Sequence, residues 1–105
     1  ELDRIRTPEE VVAGFALPDA FSPWHFRADL DGRAVGVWLA EPGEGALELA
    51  YLGVVPEARG RGFGGRLLRH VLHEAAGGGF AAVELSVDAR NEPALRLYRR
   101  HGFAE

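Results

Sequence analysis

Val54-Val55-Pro56-Glu57-Ala58-Arg59-Gly60-Arg61-Gly62-Phe63-Gly64-Gly65 is the stretch from which the fold can be read. An apolar run ends, a proline turns the chain, and four glycines within six residues lead into helical spacing. A strand that stops where a helix starts gathers unpaired N–H groups and the positive end of the helix dipole at one point. Glycines let a ligand approach the backbone closely. Arg59, Arg61, Arg66 and Arg69 bring guanidinium donors to the same place. Together these features form a phosphate cradle and predict a phosphate-bearing ligand.

Downstream, Leu67, Leu68, Val71, Leu72 and Ala75 recur at helical spacing, with Arg66, Arg69, His70, His73 and Glu74 on other faces. Gly77-Gly78-Gly79 stops that helix, and Phe80 to Val87 reads as a buried strand. Asn91 caps a last helix with Pro93 in its first turn; Ala94, Leu97 and Tyr98 share a face, Gly102 ends it, and Phe103 folds back. Upstream, Ala46 to Val55 is a strand, Glu41-Pro42-Gly43-Glu44-Gly45 a turn, and Arg33 to Ala40 a second strand. Asp31-Gly32 is a two-residue hairpin signal joining it to the alternating run Trp24 to Leu30. Pro18 and Pro23 bracket a loop, and Thr7-Pro8-Glu9-Glu10 opens a helix with Val11, Val12 and Phe15 on its apolar side. The order α-β-β-β-α-β-α predicts an α/β fold with a mixed, mostly antiparallel sheet and flanking helices. Residues 46–87 are its right-handed parallel crossover.

Composition excludes several chemistries. The 105 residues hold one domain. There is no Cys, hence no disulfide, thiolate catalysis or Cys-bound metal. All 12 basic residues are Arg, so no P-loop lysine and no Schiff base is available. A net charge of −4 argues against nucleic-acid binding through bulk charge. No apolar run approaches the roughly 18 residues that cross a bilayer, and no signal peptide opens the chain, so no membrane partner and a cytoplasmic location are expected. The charge is divided: residues 1–55 carry 4 Arg and 10 acids, residues 56–105 carry 8 Arg and 6 acids. A basic patch in an acidic chain fits a small anionic ligand. His70 and His73 lie three apart on a helix, with no third ligand nearby in sequence, so no metal site is expected. His25 and His101 read as surface or loop residues, and Trp24, Phe26 and Trp38 as core packing.

Gly60-x-Gly62-x-x-Gly65 matches the dinucleotide fingerprint literally. In that fold, however, the first glycine follows its strand almost directly, and here Pro56 to Arg59 intervene. The ribose-binding acid should end the next strand, yet Glu84 sits within it, and the meander before the loop is foreign to a βαβαβ half.

Arg59-Gly60-Arg61-Gly62-Phe63-Gly64 resembles the acetyl-coenzyme A signature Gln/Arg-x-x-Gly-x-Gly/Ala of the GCN5-related N-acetyltransferase (GNAT) superfamily. Leu52-Gly53-Val54-Val55-Pro56 is similar to the strand end that precedes it there. Asn91 to Phe103 resembles that family's Asn-x-x-Ala-x-x-Leu-Tyr-x-x-x-Gly-Phe ending. The resemblance covers residues 24–105 well; residues 1–23 match only as a helix before the sheet. It implies a single N-acetyltransferase domain: 1–23 an N-terminal helix and loop, 24–55 the antiparallel meander, 56–105 the coenzyme A-binding βαβα part.

The resemblance further implies transfer of an acetyl group from acetyl-CoA to the amine of a small molecule or peptide. The pyrophosphate would meet the amides of Gly60, Arg61, Gly62, Phe63, Gly64 and Gly65, with Arg59 beside them. Leu52, Gly53 and Val54 would pair with the pantetheine arm where a bulge splays two parallel strands. The N–H of Val54 would polarise the thioester carbonyl, Asn91 would hydrogen-bond the cofactor arm, and Arg90 would meet a 3′-phosphate. Tyr98 matches the general acid for the departing thiolate. Glu48, six residues before Val54, is the candidate base. Other members place a base at the position of Ser86, where a serine needs a water chain. A usual member has a strand before its first helices and more strands after the Gly-Phe ending. A chain from Glu1 to Glu105 is therefore expected to be half of a tandem protein or a trimmed domain. Its uncovered sheet edge predicts a homodimer or contact with a second domain. The alternative is a non-catalytic acyl-CoA-binding half of a larger protein.

Overall fold

A computed structural model describes residues 24–104; the helix expected at Thr7 and the loop between Pro18 and Pro23 lie outside the described residues. Four strands, β1 (His25–Leu30), β2 (Arg33–Pro42), β3 (Ala46–Val54) and β4 (Ala82–Leu85), form one sheet in sequence order. The first two pairings are antiparallel and β3–β4 is parallel. Helix α1 (Phe63–Gly77) crosses from β3 to β4, and α2 (Glu92–Arg100) follows β4. The expected order is observed from the first strand onward. No helix among the described residues is long and apolar enough to cross a membrane.

Local chemistry accounts for the turns. Asp31 (φ 53°) and Gly32 (φ 79°) both lie in the left-handed region, as a two-residue primed hairpin turn requires. Phe80 N–H bonds the Ala75 carbonyl (3.0 Å) and Gly79 N–H bonds Ala76 (3.2 Å), so the glycine run ends α1 in a Schellman motif. The end of α2 repeats it, with Phe103 N–H on the Tyr98 carbonyl (3.0 Å) and Gly102 N–H on Arg99 (3.1 Å). The Phe103 ring meets Tyr98 edge-on at 5.7 Å, so the chain does fold back as expected.

The core lies between α1 and the sheet. Leu67, Leu68, Val71 and Ala75 of α1 pack on Trp38, Ala40, Leu47 and Leu49. Each fully buried leucine contributes roughly 2 kcal/mol from apolar burial. A second cluster of Val35, Val37, Val55 and Ala58 occupies the other face of β2, which is why that strand is apolar in nearly every position.

Two strands differ from expectation by two residues or more. β2 runs to Pro42, because Glu41 and Pro42 still pair with Glu48 and Leu47, so the turn shortens to Gly43–Gly45. The strand expected from Phe80 to Val87 is four residues, and it alternates exposed and half-buried instead of being buried. It sits at the sheet edge, so only the residues that face the core lose water. β3 closes the meander and also opens the β-α-β-α run, so residues 56–104 themselves hold a short 3-10 turn (Pro56–Ala58), α1, β4 and α2.

Candidate active site

The site is a fork in the sheet. β4 pairs with β3 only from Ala46 and Ala82 to Leu49 and Leu85. One residue later β3 bulges: Leu39 faces Tyr51 and Ala40 faces Leu49, which leaves Ala50 as the extra residue. Val55 N–H bonds the Val35 carbonyl at 2.9 Å. Strand alternation then turns the N–H groups of Val54 and Leu52 away from β2, toward the side where β4 has already ended. Beyond the bulge, β3 therefore presents a ladder edge to an open slot.

The glycine loop closes one end of this slot. A single 3-10 turn, Pro56–Ala58, anchors it through Ala58, which is 3% exposed. Arg59 donates from Nε to the Val54 carbonyl at 3.2 Å, so its side chain braces the strand end. Gly62, at φ +83°, is the N-cap of α1 and has no side chain to cap with. The first intrahelical bond runs from Arg66 N–H to the Gly62 carbonyl (3.2 Å). The N–H groups of Phe63, Gly64 and Gly65 thus have no partner inside the helix. The guanidiniums of Arg61 and Arg66 stand 5.3 and 5.7 Å from the Phe63 ring centre, adding positive charge at the dipole's positive end.

A groove of about 510 Å³ runs from the fork to this loop. Of the residues predicted to bind the cofactor, it brings together Leu52, Gly53, Val54, Arg59, Gly60, Gly62, Phe63, Gly64 and Asn91. Two lie elsewhere. The Arg61 side chain lines a separate hollow with Asp31, Arg33 and Glu57. Gly65 faces α2, where a Cβ would come within 3.3 Å of His101 Cε1. Asn91 caps α2, accepting from Ala94 N–H at 3.3 Å, so its Oδ1 has a structural task. Sequence reading did not single out Tyr51, Pro93, Ala94 or Leu97 as walls of this groove. The spacing of the last three after Asn91 (two, three and six residues) carried that signal.

Tyr98 and Glu48 both line a neighbouring groove of about 430 Å³ that also holds Glu84, Ser86, Arg99 and Phe103. The two grooves adjoin along α2, where Leu97 lines one and Tyr98 the other. Burial pushes the Tyr98 phenol up from the ordinary tyrosine range, keeping it protonated. Glu48 is exposed and sits in a row of carboxylates, paired with Glu41 on β2 and Glu84 on β4.

Three other expectations are resolved. Arg90 is clasped by Asp88, with bonds of 3.1 and 2.8 Å; this contact lowers the Asp88 carboxyl and raises the guanidinium. His70 accepts a 2.9 Å hydrogen bond from the buried Trp38 indole N–H and lies against the Phe26 ring, so it is a half-buried residue at the margin of the core. His101, expected to be a simple surface residue, bridges the two helices through Leu97 and Arg69.

The model of the acetyltransferase (GNAT) family matches residues 3–103. The chain belongs to the GNAT acetyltransferase family. It is 45% identical to the mycothiol acetyltransferase of Clavibacter michiganensis over 78 residues, 73% of this chain and 25% of that protein. With the mycothiol acetyltransferase of an Arthrobacter species it shares 38% over 105 aligned positions, covering 92% of this chain and 32% of that one. Among solved structures, the ribosomal-protein-S18-alanine N-acetyltransferase of Escherichia coli superimposes with a TM-score of 0.75. That pair is 26% identical and covers 89% of this chain and 60% of the other. The GNAT chain described here thus spans about a quarter to a third of the mycothiol acetyltransferases it matches. Its mixed sheet and flanking helices are the GNAT fold.

Proposed function

We propose that the chain is a single N-acetyltransferase domain that moves an acetyl group from acetyl-CoA to a primary amine by direct attack in a ternary complex. One observation carries this reading. The unpartnered first-turn amides of Phe63 and Gly64 and the outward N–H groups of Leu52 and Val54 open onto the same groove. These are two sets of donors, one suited to a pyrophosphate and one to an amide-bearing arm. The residues present therefore fit acetyl-CoA, which when bound supplies the activated thioester.

Each residue has a task in this reading. Phe63, Gly64 and Gly65 offer amides at the positive end of the helix, and Arg66 adds charge beside them. Leu52 and Val54 offer a free ladder edge, and the Val54 N–H is the donor for a developing oxyanion. Tyr98 holds a proton at Oη at neutral pH, and Glu48 is a carboxylate able to take one, directly or through water. The acceptor is a small molecule or a peptide. The higher identity to proteins named mycothiol acetyltransferase supports the small molecule, and the neighbour named for ribosomal protein S18 supports the peptide. A cytoplasmic location accords with a coenzyme A substrate.

A second reading, a non-catalytic acyl-CoA-binding half of a larger protein, is favoured by one fact: Tyr98 and Glu48 line a different groove from the cofactor residues. Titration calorimetry with acetyl-CoA and a thiol-release assay across a panel of amines separate the two. Transfer requires both heat and thiol release, whereas heat alone supports the binding half. Gly62→Val abolishes the heat, because a branched side chain at φ +83° carries ~2 kcal/mol of strain and stands in the cradle. Wild-type protein that gives no heat sinks both readings.

A further inference from the structure

His101 is held by two partners that each bond in only one sense. Its Nδ1 lies 2.9 Å from the Leu97 carbonyl, and its Nε2 lies 3.3 Å from Arg69 Nη1. A carbonyl can only accept and a guanidinium can only donate. The ring must therefore carry its proton on Nδ1 and keep the Nε2 lone pair for Arg69. The geometry excludes the other neutral tautomer.

The position of this contact matters. Leu97 and His101 are one turn apart on α2 and straddle the first turn of α1. A Cβ on Gly64 would lie 3.4 Å from Leu97 Cδ2, and one on Gly65 would lie 3.3 Å from His101 Cε1. That turn carries the unpartnered amides of the cofactor groove. None of the nine residues of α2 is fully buried, so apolar burial holds this helix weakly. Yet α2 supplies a wall of one groove through Leu97 and the phenol of the other through Tyr98.

We propose that His101 is a positioning residue: bridging Leu97 and Arg69 in its Nδ1–H form, it latches the Tyr98 helix onto the phosphate-loop helix. The latch rests on the reading of Tyr98 as the general acid. The charged group facing His101 from α1 is Arg69. Arg99 and Arg100 flank it on α2, and the sheet carboxylates Glu48 and Glu84 share the Tyr98 groove instead. Misplacing a reacting group by about 1 Å is enough to lose a large part of a rate.

The test uses the full chain with wild-type His101, His101→Gln and His101→Phe. A glutamine can donate to Leu97 and accept from Arg69 without titrating, whereas phenylalanine can do neither. Long-range proton–nitrogen NMR at about pH 8 reads the ring directly. The Nδ1–H tautomer is expected, and an Nε2–H ring overturns the latch. The Tyr98 ring resonances are followed without acetyl-CoA in all three proteins from about pH 8 to about pH 5. They are displaced in His101→Phe at every pH and steady in His101→Gln. Tyr98 signals indifferent to His101 overturn the proposal.

Thiol release on the amine panel then gives kcat and KM. His101→Phe lowers kcat roughly tenfold, with a smaller change in KM for acetyl-CoA. His101→Gln restores kcat, and a glutamine variant as slow as phenylalanine overturns the latch. Absence of thiol release from every amine counts against the transfer reading alone, because the two NMR readouts decide the latch without any reaction.

Discussion

Tyr98 shows how one residue draws its properties from several contacts. Its position places it at the third residue from the end of α2, where the Schellman bond fixes its carbonyl and Phe103 covers its ring. Burial raises its pKa above the ordinary 10.0. The neutral phenol is the acid, so its contribution to transfer should be constant through neutrality and be lost as pH rises through that raised value. The linkage has the same sign. The unfolded chain ionises its tyrosine first, so the contribution of Tyr98 to stability is present below the unfolded pKa and lost as pH climbs above it. Tyr98→Phe is expected to cut kcat about a hundredfold or more while acetyl-CoA affinity stays within about twofold. It should also shallow the alkaline fall in melting temperature. An unchanged kcat removes Tyr98 from the chemistry. The sequence motif made this tyrosine visible. The Trp38–His70 hydrogen bond was not visible, because partners 32 positions apart meet only once the sheet and α1 have packed.

At the level of elements, Asn91 carries two assignments that one pair of substitutions separates. It caps α2 through Oδ1, and it lines the groove in which the proposed function makes it a donor to the cofactor arm. Asn91→Ala removes both and is expected to cost about 1 kcal/mol of stability along with acetyl-CoA affinity. Asn91→Asp keeps the capping oxygen and adds charge favourable to the helix N-terminus. It should therefore hold stability in urea denaturation while still weakening acetyl-CoA in calorimetry. If Asn91→Asp binds as tightly as wild type, Asn91 is a cap and nothing more. Caps, hairpin turn and helix stops were all legible, since each depends on residues within a few positions of one another. The fork was legible only through the family resemblance. The bulge at Ala50 has no local signature, and its register follows from pairing with β2 on one side and β4 on the other.

For the whole molecule, the open question is the outer edge of β4. Among the described residues β4 pairs only with β3, and the groove of Tyr98 runs along its other side. An unpaired edge with half-buried Val83 and Leu85 beside Phe103 is a template for another strand. Glu84 in the middle of that edge opposes a second identical edge, since like charges placed directly opposite repel. The two effects lead to a defined expectation: weak self-association, stronger in high salt, where the carboxylates are screened over a Debye length of about 3 Å at 1 M. Glu84→Gln should strengthen it at low salt and remove the salt dependence. Sedimentation velocity across a wide concentration range checks both. A single monomer boundary at every concentration and salt, for wild type and Glu84→Gln alike, means that this edge is not an association surface. The edge was foreseen from the family resemblance, whose usual members carry more strands after the Gly-Phe ending, but its moderation by Glu84 was not. Only the observed register shows that Glu84 stands beside Glu48 and Glu41 in one row across three strands.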